Sequence, residues 1–305
     1  MRCLLYILLA LPFCTMAQNK IAFLGCPQEN QVEIKIESPA YNDNSFVTED
    51  GLIYIHAAVN GNAGVYLLDT GAPSLVLNQK TSPLTSTKTS KAFAVSSNLP
   101  VSFVEINQFQ WGEFRKDVFE GLMLDLNHFE GPHKAAIDGL IGFDILEGKV
   151  LMVDYQNNQI DLLKSKAFKS IKKEDAPSYS IDFDLYQHLP VIEVTIDGKM
   201  YKLALDTGAE KNLLHTPIFK DLAVENVEYD LLQGLDKHIK KVSKGYLNHL
   251  EAGEYRIQRT QFLFTDLSHI QSDAFGYDID GLLGLDFFEG RKFAVDYRKH
   301  KIYIW

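Results

Sequence analysis

The tetrapeptide Asp-Thr-Gly-Ala occurs twice in the 305-residue chain, at Asp69–Ala72 and at Asp206–Ala209. Each copy closes an apolar run, Tyr66-Leu67-Leu68 and Leu203-Ala204-Leu205, and each leads into another, Leu75-Val76-Leu77 and Leu213-Leu214. A carboxylate set between apolar stretches is costly, because a buried unpaired charge tends to neutralise. Two such sites in one chain need a shared reason.

The likeness runs well beyond the tetrapeptide. Aligning Asp69 with Asp206 also aligns Leu52 with Leu189, Gly61 with Gly198 and Leu77 with Leu214. Farther on, Gly112-Glu113-Phe114-Arg115 matches Gly253-Glu254-Tyr255-Arg256, and Asp125-Leu126 matches Asp266-Leu267. Ile137-Asp138-Gly139-Leu140-Ile141-Gly142-Phe143-Asp144 matches Ile279-Asp280-Gly281-Leu282-Leu283-Gly284-Leu285-Asp286, and Val153-Asp154-Tyr155 matches Val295-Asp296-Tyr297. The register slips by a few residues where loops absorb it. A unit this long is too large for a solenoid repeat and is the size of a small domain. The chain is an internal duplication.

An Asp-Thr-Gly-Ala turn after an apolar strand, followed in the same half by an apolar-apolar-Gly strand, resembles the aspartic proteases of the pepsin and retropepsin group. The resemblance covers nearly all of the chain beyond its N-terminal segment. It implies a mainly β fold of two homologous retropepsin-like β-barrel lobes, related by a pseudo-twofold axis with a cleft between them. It further implies that Asp69 and Asp206 are the catalytic pair, held by Thr70, Gly71, Ala72, Thr207, Gly208 and Ala209. Two carboxylates brought face to face cannot both ionise, so they share one proton and titrate as a unit. The ionised member takes a proton from a water held between them, and the protonated member donates to the peptide carbonyl. The expected activity is that of an aspartic endopeptidase, with no cofactor and no metal. Its expected partner is a polypeptide in extended conformation, bound partly through strand-like backbone hydrogen bonds. The rival reading is a non-catalytic peptide-binding or assembly module on the same fold; two intact Asp residues argue against it.

Each residue type in the turn has a physical reason. Gly71 and Gly208 permit backbone conformations that a side chain blocks. The Thr70 and Thr207 hydroxyls can reach across to the opposite loop, and Ala72 and Ala209 keep the turn compact. Asp138 and Asp280 are read as turn residues leading into the apolar-Gly strands, and Gly142 and Gly284 as supporting positions that allow those strands to pack beneath the loops. The stretches in the place of the family's covering hairpin are 94–104 and 233–244, and neither carries a Tyr-bearing tip of the pepsin kind.

Residues 1–17 read as a secretory signal, with Arg2, an apolar core from Leu4 to Phe13 and small residues up to Ala17. A secreted or periplasmic protein is expected. Cys26 follows Leu24-Gly25 but lies well past the apolar core, so a lipid anchor is compatible and not favoured. Loss of the signal removes Cys3 and Cys14, which leaves no intramolecular disulfide and excludes a multi-cysteine zinc site. The net charge of −10 argues against nucleic acid as a partner. No later segment is apolar for long enough to span a bilayer as a helix. His-Glu-x-x-His, Gly-x-Ser-x-Gly and Gly-rich phosphate-loop patterns are absent from the sequence.

Strand signals dominate: Val32–Ile36 and Val191–Ile196 alternate or run β-branched, Asn60-Gly61 and Asp197-Gly198 are hairpin turns, and Ile160–Leu163 and Ile302–Ile304 close the two halves. Ile218–Leu222 is a weak helical candidate. The lysine-rich stretch 164–178 reads as a solvated, flexible connection, which divides the chain into an N-terminal lobe, 18–163, and a C-terminal lobe, 179–305. With both lobes in one chain, a monomer is expected.

Overall fold

The computed structural model describes residues 9–11, 20–22, 44–49, 51–93, 98–126, 136–233, 239–268, 278–288 and 290–305. Of the expected signal segment only Leu9–Leu11 is among them, as a short strand paired with Lys20–Ala22. Val32–Ile36 and the three cysteines lie outside the described residues, as do residues 94–97 and 234–238 of the two covering-hairpin stretches.

The protein is mainly β. In the first half, strands Leu52–Val59, Asn62–Leu68, Gly139–Ile141, Val76–Asn78, Phe114–Leu124 and Asn98–Trp111 follow one another in hydrogen-bonded order. The last returns to the first through Ala58 opposite Gln110 and Val59 opposite Phe109, closing a six-stranded barrel. The second half repeats the circuit with Leu189–Ile196, Lys199–Leu205, Gly281–Leu283, Asn212–His215, Tyr255–Thr265 and Ile239–Ala252. It closes through Ile196 opposite Leu250. The duplicated sequence thus folds into duplicated topology. Asn60-Gly61 and Asp197-Gly198 form the two-residue hairpin turns, with positive φ at all four residues, as a type I′ turn requires.

The closing strands behave differently from the expectation that each finishes its own half. Gln159–Leu163, Val150–Asp154, Lys292–Asp296, Lys301–Ile304 and Tyr179–Asp182 form one five-stranded antiparallel sheet drawn from both halves. Its central pairing sets Met152 opposite Ala294, with Val150 opposite Asp296 and Asp154 opposite Lys292. Leu151, Val153, Phe293, Val295, Ile302 and Ile304 face the large core shared by the two halves, while Val150, Ala294 and Tyr303 face the other way. With both faces apolar, the sheet needs a second cover.

That cover is the connection itself. The stretch 164–178, read from its lysines as flexible and solvated, contains the α-helix Ser165–Glu174. Phe168 is 1% exposed, packed against Tyr303 with ring centroids 5.3 Å apart and against Trp305 at 6.3 Å. Lys172 lays its ammonium 3.8 Å from the Tyr303 ring centroid. The lysines are on a helix whose apolar stripe is narrow, and the sheet supplies its partner. The candidate around Ile218 is a short 3-10 helix, Thr216–Asp221.

Candidate active site

Each Asp-Thr-Gly-Ala turn leaves the end of an interior barrel strand. Gly139–Ile141 runs parallel to Asn62–Leu68, and Gly281–Leu283 parallel to Lys199–Leu205. The Asp69 N–H donates to the Ile141 carbonyl (3.0 Å) and the Asp206 N–H to the Leu283 carbonyl (2.9 Å). These bonds put both acidic residues at the same place in the two barrels. Beyond them the chain doubles back, with Ala72 N–H on the Asp69 carbonyl and Ala209 N–H on that of Asp206, each at 3.2 Å.

Asp138 and Asp280 do more than turn the chain. The Asp138 carboxylate accepts the Val65 N–H and that of Asp280 accepts the Lys202 N–H, both at 2.8 Å, clamping the interior strands together. Gly142 and Gly284 sit where a Cβ would come within 2.7 Å of the Ala72 carbonyl and 2.6 Å of the Ala209 carbonyl. No larger residue fits there without moving the turn. On the outgoing side, Asp144 accepts the Leu75 N–H (2.8 Å), and Asp286 pairs with the Lys211 ammonium (3.1 Å).

The two turns are locked together by their threonines. Thr70 Oγ1 donates to the Leu205 carbonyl (3.1 Å) and accepts the Thr207 N–H (3.0 Å). Thr207 Oγ1 donates to the Leu68 carbonyl and accepts the Thr70 N–H, both at 3.0 Å. All the partners are buried, so each bond satisfies groups that have no access to water.

This lock brings Asp69 and Asp206 together, each fully buried. Oδ1 of Asp69 accepts the N–H groups of Gly71 (2.9 Å) and Ala72 (3.0 Å), and Oδ1 of Asp206 accepts the Gly208 N–H (2.9 Å). The two carboxyls are near enough to influence each other's ionisation. Burial is the largest influence on both and raises both pKa values. The charge of Asp206 raises Asp69 further, while the backbone donors oppose the rise. Asp206 is pushed up to about 8. The pair therefore holds a proton well above the pH at which a free carboxylic acid loses it.

Two residues that the sequence pattern did not single out adjoin the site. His188 is buried and its Nε2 donates to the Gly71 carbonyl at 2.9 Å. Tyr297 is buried with its ring edge-on to Phe143 at 5.6 Å, and burial, then the charge of Asp69, opposes its ionisation. The signal for His188 was the aligned position in the other half, where Gly51 stands. Among the described residues, no group of three or more His, Cys, Asp or Glu side chains is gathered.

Comparison with known proteins agrees with this geometry. Residues 192–287, which carry the second turn and its apolar-Gly strand, match the family model described as aspartyl protease. No curated protein matches the chain. The family match supports a hydrolase that acts on polypeptides. Among the described residues, no helix is long and apolar enough to cross a membrane.

Proposed function

We propose that the protein is an aspartic endopeptidase in which Asp69 and Asp206 together activate a water and protonate the peptide carbonyl. The observation that carries the reading is the fully buried carboxyl pair, held by hydrogen bonds from its own turns and locked by Thr70 and Thr207. One carboxylate, ionised, takes the proton of the attacking water. The other, protonated, donates to the carbonyl oxygen as the tetrahedral intermediate forms, and a proton then passes to the leaving nitrogen. A preorganised, desolvated pair is suited to this, because its donors and acceptors need no reorganisation during the reaction.

In this reading the halves 18–163 and 179–305 act as two lobes of one enzyme, which works outside the cytoplasm as a monomer. The test is cleavage of a peptide library by the purified protein from acidic to neutral pH, beside Asp69→Asn and Asp206→Asn. Cleavage that disappears in both folded variants supports the dyad. Cleavage that survives either substitution overturns it. Binding of peptides without cleavage by the wild type points instead to the non-catalytic module.

A further inference from the structure

The two halves repeat the same strand order, but the two turns do not hold their carboxylates alike. Ala72 and Ala209 make the same 3.2 Å bond to the backbone carbonyl of their own Asp. The Ala72 N–H is shared with Asp69 Oδ1 at 3.0 Å. Asp206 receives one backbone donor on its Oδ1, from Gly208. The extra donor to Asp69 belongs to the Gly71–Ala72 peptide, and the carbonyl of that same peptide accepts the His188 Nε2–H.

His188 reaches it from the other half. Strands Asp184–Tyr186 and Leu189–Ile196 pair with Tyr186 opposite Leu189, so Gln187 and His188 are a two-residue hairpin turn. Gln187 takes a positive φ of 58°, which is uncommon for a side-chain-bearing residue. The aligned turn of the first half is Asp50-Gly51, and glycine there has no side chain to send across. The His188 ring lies 6.4 Å from that of Phe143, whose own N–H donates to the Ala72 carbonyl. The contact is therefore built into the packing of both halves, and it exists on one side of the pseudo-twofold axis.

We propose that His188 is a positioning residue for Asp69, holding the Gly71–Ala72 peptide so that its N–H points at the Asp69 carboxylate. The inference rests on the reading of Asp69 and Asp206 as the working dyad. A donor on one face of an amide strengthens the donor on its other face, because the two bonds polarise the same peptide. Through one peptide plane, His188 thus favours negative charge on the carboxyl pair.

The test is carboxyl 13C NMR titration of Asp69 and Asp206 in the wild type, His188→Ala, His188→Asn and His188→Gln. The ionisable groups about Asp69 are Asp206 across the pair and Tyr297 beside it. Gln places an amide N–H where Nε2 lies; Asn is too short to reach. The sum of the pair's two apparent pKa values is expected to rise by about one unit in the Ala and Asn variants and to return in Gln. Because Gln carries no charge, its rescue separates the hydrogen bond from any imidazolium effect. Asn and Gln variants that titrate alike, or an Ala variant that matches the wild type, overturn the proposal, and the Asn–Gln pair decides the matter if Ala does not fold. In the cleavage assay, kcat is expected to fall about tenfold in Asn with KM within about twofold, and to recover in Gln. Failure of the protease reading shows separately, as cleavage that persists in Asp69→Asn, and leaves the NMR result standing.

Discussion

At the scale of single residues, the site depends on hydroxyls and small residues as much as on the acids. Thr70 both donates across the interface and accepts from it, so its isosteric replacement by Val leaves the Leu205 carbonyl and the Thr207 N–H buried without those partners. Each unsatisfied group costs about 1–3 kcal/mol. Thr70→Val is therefore expected to lower the unfolding free energy by about 2–6 kcal/mol, whereas Thr70→Ser keeps the hydroxyl and loses much less. Urea unfolding of the two variants side by side checks this; a loss in Thr70→Val no larger than in Thr70→Ser would show that the hydroxyl's bonds contribute no more than the packing of the methyl group. Tyr297 presents the opposite case. Among the described residues its buried hydroxyl meets no hydrogen-bond partner, so Tyr297→Phe is expected to leave the thermal midpoint unchanged or raised. A clear fall in the midpoint would show that the hydroxyl is satisfied in solution.

At the scale of elements, the helix Ser165–Glu174 has a structural role that its lysines obscured. Phe168 is the side chain it buries against the outer face of the central sheet. Phe168→Ala uncovers Tyr303 and is expected to cost about 3–5 kcal/mol. Measured by chemical unfolding, a cost under about 1 kcal/mol, the range of an exposed position, would restore the flexible-connection reading. This element also marks where sequence reading stops. The strands that lead into and out of the two Asp turns, the Asn-Gly and Asp-Gly turns and the glycines beneath the loops were legible because each follows from a local pattern that occurs twice. The helix was not, since two large apolar residues, Phe168 and Ile171, among five lysines look alike whether solvated or laid on a sheet. The mixed sheet was hidden too, because the pairing of Val150–Asp154 with Lys292–Asp296 leaves no local trace in either strand. His188 was missed because its bond partner, Gly71, belongs to the other half, and nothing in Gln187-His188-Leu189 specifies that approach.

At the scale of the whole molecule, the two halves share a sheet, a large core and a buried pair of carboxyls, and the last of these makes stability depend on pH. Two acidic groups are brought into full burial by folding, and their pKa values rise, that of Asp206 from the ordinary carboxylate range to about 8. A group whose folded pKa exceeds its unfolded value binds protons more tightly when folded. Its contribution to stability is complete below the unfolded value, about 4, and is lost as pH rises through the folded value. The pair should therefore favour folding in acid and oppose it progressively from about pH 4 to about pH 8, by an amount on the order of a few kcal/mol. Other titrating groups add their own slopes, so the informative quantity is a difference between variants. Asp206→Asn keeps an oxygen to accept the Gly208 N–H but cannot ionise, and its stability relative to the wild type should grow steadily across that range. Thermal unfolding at closely spaced pH values measures that difference. A difference that stays flat would mean that the carboxyls do not retain a shared proton in the folded protein, and the water-activating mechanism would lose its acid.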